Sequence, residues 1–195
     1  PIGLAVAESS PYQTLEELVA AAKDETLTYS TPAPGSTQHV SMAGFASDNG
    51  LKLTHVGGQG GKGAVTKALS GEVDFVFVGA SNYIALAESG QLRVLGVASA
   101  EPVDYLDAPT FKDEGYDFES SVWFGLVVRA DVPQDRVERL RGLVDEAANS
   151  DEAKALYQKL HLTANYMPAD EFQARIDESV ETNRKILTEI GLLQK

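Results

Sequence analysis

Apolar positions along the first hundred residues fall into two alternating rhythms. Short unbroken runs, Ile2–Val6, Leu27–Thr31, Leu51–Val56, Val73–Val78 and Leu92–Ala98, have the length and β-branched content of strands. Between them lie segments with helical spacing. Leu15, Leu18, Val19 and Ala22 form one stripe, preceded by Thr14 with Glu17 three residues on, the spacing of a capping box. Helices are also predicted over about Thr37–Ser47, Ala64–Leu69 and Ser81–Glu88, the last closed by Gly90. Strands that alternate with helices through short links predict an α/β fold with a parallel sheet covered on both faces.

The rhythm lapses from Ser99 to Gly115, where Pro102 and Pro109 punctuate a connecting segment. Glu119–Val128 then reads as one long extended run. The rest is helical, over about Gln134–Asn149, Asp151–Leu160 and Ala169–Ile190, with a short strand expected at Thr163–Met167. The division expected is therefore 1–118, an α/β lobe that carries the ligand loops and starts with a crossover strand, and 119–195, a returning strand with the C-terminal helices of a partial second lobe. Val137, Leu140, Val144 and Ala148 form a stripe on one late helix; Phe172, Ile176, Val180 and Leu187 form one on another. Those stripes need more sheet than the last eighty or so residues supply, which points to self-association, segment exchange or a mobile C-terminal part.

Composition narrows the partners. The chain has 195 residues, 29 acids against 16 bases, and a net charge of −13. Nucleic acid and anionic membrane surfaces are excluded as favoured partners, and an anionic ligand would have to be held by dipoles against the overall field. There is no Cys, hence no disulfide or thiolate chemistry. No apolar run has the length of a membrane span. The chain opens on Pro1 and an apolar run, the look of a cut inside a larger protein or of a processed product.

Three loops carry the candidate chemistry. Thr31-Pro32-Ala33-Pro34-Gly35-Ser36-Thr37, with His39 one turn further on, presents hydroxyls and free N–H groups at a helix start, which suits an anion without any basic side chain. An ordinary capped turn has the same spacing. Gly57-Gly58-Gln59-Gly60-Gly61-Lys62-Gly63 contains a G-x-G-x-x-G spacing, but Asp74 comes too early for the ribose acid that a dinucleotide site requires. The glycines suit close backbone approach to a small ligand or a tight structural turn. Gly79-Ala80-Ser81-Asn82 forms the third loop. In open sheets, ligands sit at the C-terminal ends of parallel strands. The histidines His39, His55 and His161 are scattered without metal-ligand spacing, and no G-x-S-x-G elbow exists, so neither a catalytic nor a metal site is assigned. His39 is read as a structural hydrogen-bonder or a ligand contact, His55 as packed, and Trp123 as core or the wall of a cleft.

Five motifs carry a resemblance: Thr14-Leu15-Glu16-Glu17-Leu18-Val19; Tyr29 with Gly35-Ser36-Thr37-Gln38-His39; His55-Val56 with Gly60-Gly61 and Ala68-Leu69-Ser70-Gly71-Glu72-Val73-Asp74; Ser89-Gly90-Gln91-Leu92-Arg93-Val94-Leu95-Gly96-Val97-Ala98 with Ala108-Pro109-Thr110-Phe111; and Trp123-Phe124-Gly125-Leu126. In this order the chain resembles the solute-binding proteins of tripartite tricarboxylate transporters, the TctC or Bug-type family, lacking that family's N-terminal segment. The resemblance implies a type II periplasmic-binding-protein architecture, no enzymatic activity and no cofactor. It also implies a small carboxylate ligand, membrane permease subunits as partners, and a periplasmic or extracytoplasmic location, membrane-associated if the precursor is lipid-anchored. The candidate ligand residues are Thr31, Pro34, Gly35, Ser36, Thr37, His39, Gly58, Gln59, Gly60, Gly61, Gly79, Ala80, Ser81, Asn82 and Trp123, of which the resemblance itself implies Ser36, Thr37, His39, Gly58–Gly61 and Gly79–Asn82. Gly57-Gly58 stand where the family has Pro-Tyr, so an aromatic wall is lost. The alternative from another class is a nucleotide- or phosphate-binding α/β enzyme domain.

Overall fold

The computed structural model describes residues 1–193. Five strands form one sheet: β1 (Ile2–Ala7), β2 (Leu27–Thr31), β3 (Leu53–Gly57), β4 (Phe75–Gly79) and β5 (Leu92–Val97), in the order β3-β2-β4-β1-β5. Between them run α1 (Leu15–Asp24), α2 (Thr37–Asn49), α3 (Gly61–Leu69) and α4 (Ala80–Glu88). Each strand presents alternate residues to opposite faces. In β4, Phe75 and Phe77 join the side that buries Leu15, Leu18 and Val19 of α1 and Met42 and Phe45 of α2. Val76 and Val78 face the other side, with Ala64, Val65 and Ala68 of α3 and Tyr83 and Ile84 of α4. The sheet is covered on both faces, as the unbroken apolar runs require.

The α/β class is as expected, but one strand runs against the expected direction. β2 pairs parallel with β3 and β4, while β1 pairs antiparallel with both β4 and β5. The sheet is mixed. An apolar run reads alike in either direction, so periodicity carries no information on strand polarity; that is decided by register, here Ile2 opposite Gly79 and Leu4 opposite Phe77. As a result the start of β1 lies at the same edge as the ends of β2, β3 and β4.

Local signals hold where the core uses them. Thr14 Oγ1 accepts from the Glu17 N–H at 3.1 Å and the Glu17 carboxylate accepts from the Thr14 N–H, completing the capping box. Asp74 receives the Thr28 N–H and hydroxyl, each at 2.7 Å, which ties the start of β2 to the residue preceding β4. In the connecting segment Phe111 is fully buried and meets Phe45 edge-on at 5.2 Å.

The chain divides into two compact units: Pro1–Val122 with the described residues from Lys185 onward, and Trp123–Arg184. The second holds α5 (Gln134–Ala148), α6 (Asp151–Lys159) and most of α7 (Ala169–Glu189). The strands expected at 119–128 and 163–167 do not form. A strand exists only where another backbone takes up its N–H and C=O groups in a continuous ladder; here the Ser120 N–H bonds to the Ala98 carbonyl at 2.9 Å, and among the described residues no ladder follows. Phe124, Leu126 and Val127 are more than four-fifths exposed, and α5, α6 and α7 contain no buried residue. Within this unit Trp123 meets Phe172 edge-on at 5.1 Å, and that ring lies against Gly125, where a side chain would collide with it.

Helices without a buried stripe have little to hold them closed. Hydrogen exchange is expected to leave the amides of β1 and β4 the slowest and to show α5 and α6 exchanging on the order of a hundredfold faster. Light scattering that reports a strict monomer, with α5 and α7 as protected as the sheet, would contradict this reading.

Candidate functional site

Because β2, β3 and β4 are neighbours and point the same way, the loops after them share one edge of the sheet. Backbone bonds tie the first two together. The Gly58 N–H donates to the Thr31 carbonyl and the Gly60 N–H to the Pro32 carbonyl, both at 2.8 Å. The second and third loops touch through Gly61 and Asn82; any Cβ at Gly61 would collide with the Asn82 side-chain amide. Gly58 is equally confined, since a Cβ there would lie 2.6 Å from the backbone nitrogen of Ala64. Gly35 and Gly60 turn the chain at φ of 74° and 89°, the left-handed region that glycine enters without strain. Across the edge, the Ala80 N–H donates to the Pro1 carbonyl at 2.9 Å.

Each loop delivers a helix N-terminus, whose first N–H groups have no carbonyl one turn back. In α2, Ser36 Oγ caps the N–H of His39 at 3.3 Å. Among the described residues the N–H groups of Thr37 and Gln38 keep no internal partner. The starts of α3 and α4, at Gly60 and Gly79, carry no side-chain cap. Three positive dipole ends thus gather at one edge, and the Thr37 and Gln38 N–H groups of the α2 start remain uncommitted, whereas the first N–H of α4, at Ala80, is taken by Pro1. Ala33, Pro34, Gly35, Thr37, Gln59, Gly60 and Ser81 are exposed, while Thr31, Gly58 and Ala80 are buried beneath them. Neither Lys nor Arg lies in loops 31–37, 57–61 or 79–82.

Beneath the first loop lies a feature that sequence reading missed. His39 and His55 stack with ring centroids 3.7 Å apart and planes 18° from parallel. The Gly35 N–H donates to His39 Nδ1 at 2.9 Å, which leaves the ring proton of neutral His39 on Nε2. His55 Nε2 lies 2.8 Å from Thr31 Oγ1, which is 3.3 Å from Ser36 Oγ. His55 is thus not merely packed. Sixteen residues separate it from His39, and only the parallel pairing of β2 with β3 brings them together. Burial lowers the pKa of both rings; for His55, with His39 as an added opposing charge, it falls to about 4. The structure therefore brings together every predicted ligand residue of the three loops, from Thr31 to Asn82. Trp123 belongs to the second unit.

A covered α/β sheet with a polar edge built from strand ends and helix starts is a frame on which ligand sites are built. The sequence matches the family described as "TctC: Tripartite tricarboxylate transporter family receptor" over residues 1–192, and the chain belongs to that family. A relative from Cupriavidus necator, the UPF0065 protein in the gbd 5' region, is 25% identical over 193 residues, covering 97% of this chain and 59% of its own length. Another, from Pseudomonas sp. strain P51, is 27% identical over 91% of this chain and 55% of its own. The chain thus spans somewhat more than half the length of these curated relatives. Among solved structures, a TctC solute-binding protein from Polaromonas superposes with a TM-score of 0.80 at 24% identity, covering 97% of this chain and 66% of that one. An R. palustris protein solved with adipate gives 0.81 at 24% identity, covering 98% and 65%. MatC from Rhodopseudomonas palustris, with bound malate, gives 0.76 at 18% identity, covering 96% and 66%. These likenesses establish the periplasmic-binding-protein fold.

The desolvated imidazoles, His39 buried and His55 half-buried, set a pH dependence. A base whose folded pKa is lowered binds fewer protons than in the unfolded chain between the two values, so stability rises with pH there. For His55 the window runs from the folded value of about 4 to the ordinary 6.5. Urea denaturation is expected to show stability falling as pH drops through this window, and the fall to be smaller in His55→Gln.

Proposed function

We propose that this chain is the ligand-holding part of an extracytoplasmic receptor that captures a small di- or tricarboxylate and delivers it to the membrane permease of a tripartite transporter. The observation that carries the reading is the gathering of three helix N-termini at one edge, with the Thr37 and Gln38 N–H groups unused and no Lys or Arg within the three loops 31–37, 57–61 and 79–82. In a chain of net charge −13 these dipoles are the means of holding an anion. Family membership and the adipate and malate in structures of the same fold support the same chemistry. Ser36 and Thr37 contribute hydroxyls; Gly58–Gly61 and Gly79–Asn82 contribute backbone donors. Capture and release need no catalytic group, so the protein acts as a receptor rather than an enzyme. Among the described residues no helix is long and apolar enough to cross a membrane; a lipid anchor on the precursor would hold such a receptor at its permease.

A nucleotide- or phosphate-binding enzyme domain is less well supported. Asp74, the nearest acid to the position a ribose would need, is committed to Thr28 at the opposite end of the strands. Isothermal titration calorimetry of the full chain against adipate, malate, citrate, ADP and inorganic phosphate separates the two readings. Heat with a carboxylate and none with ADP or phosphate is expected; heat with ADP alone would overturn the proposal.

Thr37→Val keeps the shape of the helix start and removes one hydroxyl. In the same calorimetry it is expected to weaken carboxylate binding by roughly 1–3 kcal/mol, the cost of leaving a desolvated partner unmatched. Unchanged affinity with an intact fold would remove Thr37 from the site.

A further inference from the structure

The His39–His55 stack closes a circuit with the anion loop. His39 holds Gly35 through Nδ1, and its own N–H is capped by Ser36 Oγ. Ser36 Oγ neighbours Thr31 Oγ1, which contacts His55 Nε2, and the His55 ring returns to His39 by stacking. Every residue the two rings contact in this circuit belongs to the first ligand loop or to the strand leading into it.

Two rings this close cannot both be charged, because like charges at contact distance in a half-buried setting repel strongly. The stack therefore takes up at most one proton beyond those of the neutral pair. The Gly35 N–H occupies the Nδ1 lone pair of His39, which leaves His55 as the ring able to gain that proton.

Among the described residues no carboxylate forms a hydrogen bond or ion pair with either ring. On α7, whose Ile186 lies against Gly44 of α2, the flanking charges are Lys185 and Glu189. From β2, Tyr29 flanks both rings, with centroids at 6.2 and 5.1 Å, and burial holds its phenol neutral. On α2 the next ionisable residue is Asp48, nine positions on and more than two turns away. On α3, which packs on β2, Lys62 is exposed and Lys67 pairs with Glu72. Lys52, preceding β3, donates to the Asp24 carbonyl at 2.9 Å, and Asp74 is held by Thr28. With no carboxylate bonded to either ring, an anion bound at the loop the rings support can supply the countercharge.

We propose that the His39–His55 stack is a one-proton site coupled to the anion pocket, so that a carboxylate seated on the α2 N-terminus is captured together with a proton. The proposal rests on the carboxylate reading above and deepens it. Without ligand the pair is neutral at neutral pH. An anion favours the charged form of a nearby base. Affinity then rises as pH falls, by up to tenfold per unit, from the ligand-bound pKa down to the free value. The coupling also makes the pair a selector of ligand charge: a dianion recruits the proton more strongly than a monoanion.

The test is calorimetry of the full chain with adipate and malate at pH 6, 7 and 8, where both ligands are ionised, in two buffers of different ionisation enthalpy. It is combined with side-chain NMR of the three histidines, His161 serving as the internal control. The expected result is affinity nearly flat from pH 8 to pH 7, several-fold tighter from pH 7 to pH 6, and net proton uptake that grows toward one only as pH 6 is reached. The His55 ring signals should move to the imidazolium position on addition of adipate while those of His161 stay in place. His55→Gln is expected to flatten the pH profile; should that variant not fold, the native titration decides by itself. Binding with flat affinity and no proton uptake would overturn the coupling and leave the carboxylate reading standing. Failure of adipate and malate to bind at any of the three pH values, with citrate silent in the calorimetry above, would overturn the carboxylate reading, and the coupling with it.

Discussion

The parallel alignment of β2 between β3 and β4 is the constraint on which the site depends. It places three strand-to-helix loops at one edge and lets the Gly58 and Gly60 N–H groups bond to Thr31 and Pro32. It also sets His55 in register with Tyr29, within reach of a histidine one turn into α2. Reversing any one of these strands would send its loop to the far edge, where Asp74 and Thr28 close the sheet instead.

What stabilises this alignment is burial on both faces. The alternation of Phe75 and Phe77 with Val76 and Val78 means that neither face of β4 can be given to water. Each of those aromatic rings contributes on the order of 3–5 kcal/mol against truncation to Ala. Glycine acts at the opposite scale. At Gly58 and Gly61 it is the missing Cβ that lets the second loop lie against α3 and against Asn82. The apolar core thus keeps the edge rigid, and the edge can expose unpaired backbone donors without collapsing.

The second unit contrasts with this. Its helices have the stripes expected of them, yet Leu140, Leu143 and Leu156 remain about half exposed. Residues 123–128 are rich in side chains suited to a sheet interior, and among the described residues no strand pairs with them. The same amphipathic logic that builds the first unit leaves the second with faces that the described residues do not cover.

Much of this was legible in the sequence because it is local. The capping box at Thr14 and Glu17, the stripe from Leu15 to Ala22, the unbroken apolar strands and the small polar loops after them each lie within a few residues, and each forms where the pattern places it. Two further features depend on which segments meet, and only the tertiary structure decided them. The antiparallel direction of β1 is invisible to hydropathy, since a buried run is apolar whichever way it points. The pairing of His39 with His55 joins residues on different elements, and nothing near either residue marks it. Strand propensity at 119–128 and 163–167 was likewise legible and insufficient, for a strand is a relation between two backbones, and composition specifies only one of them.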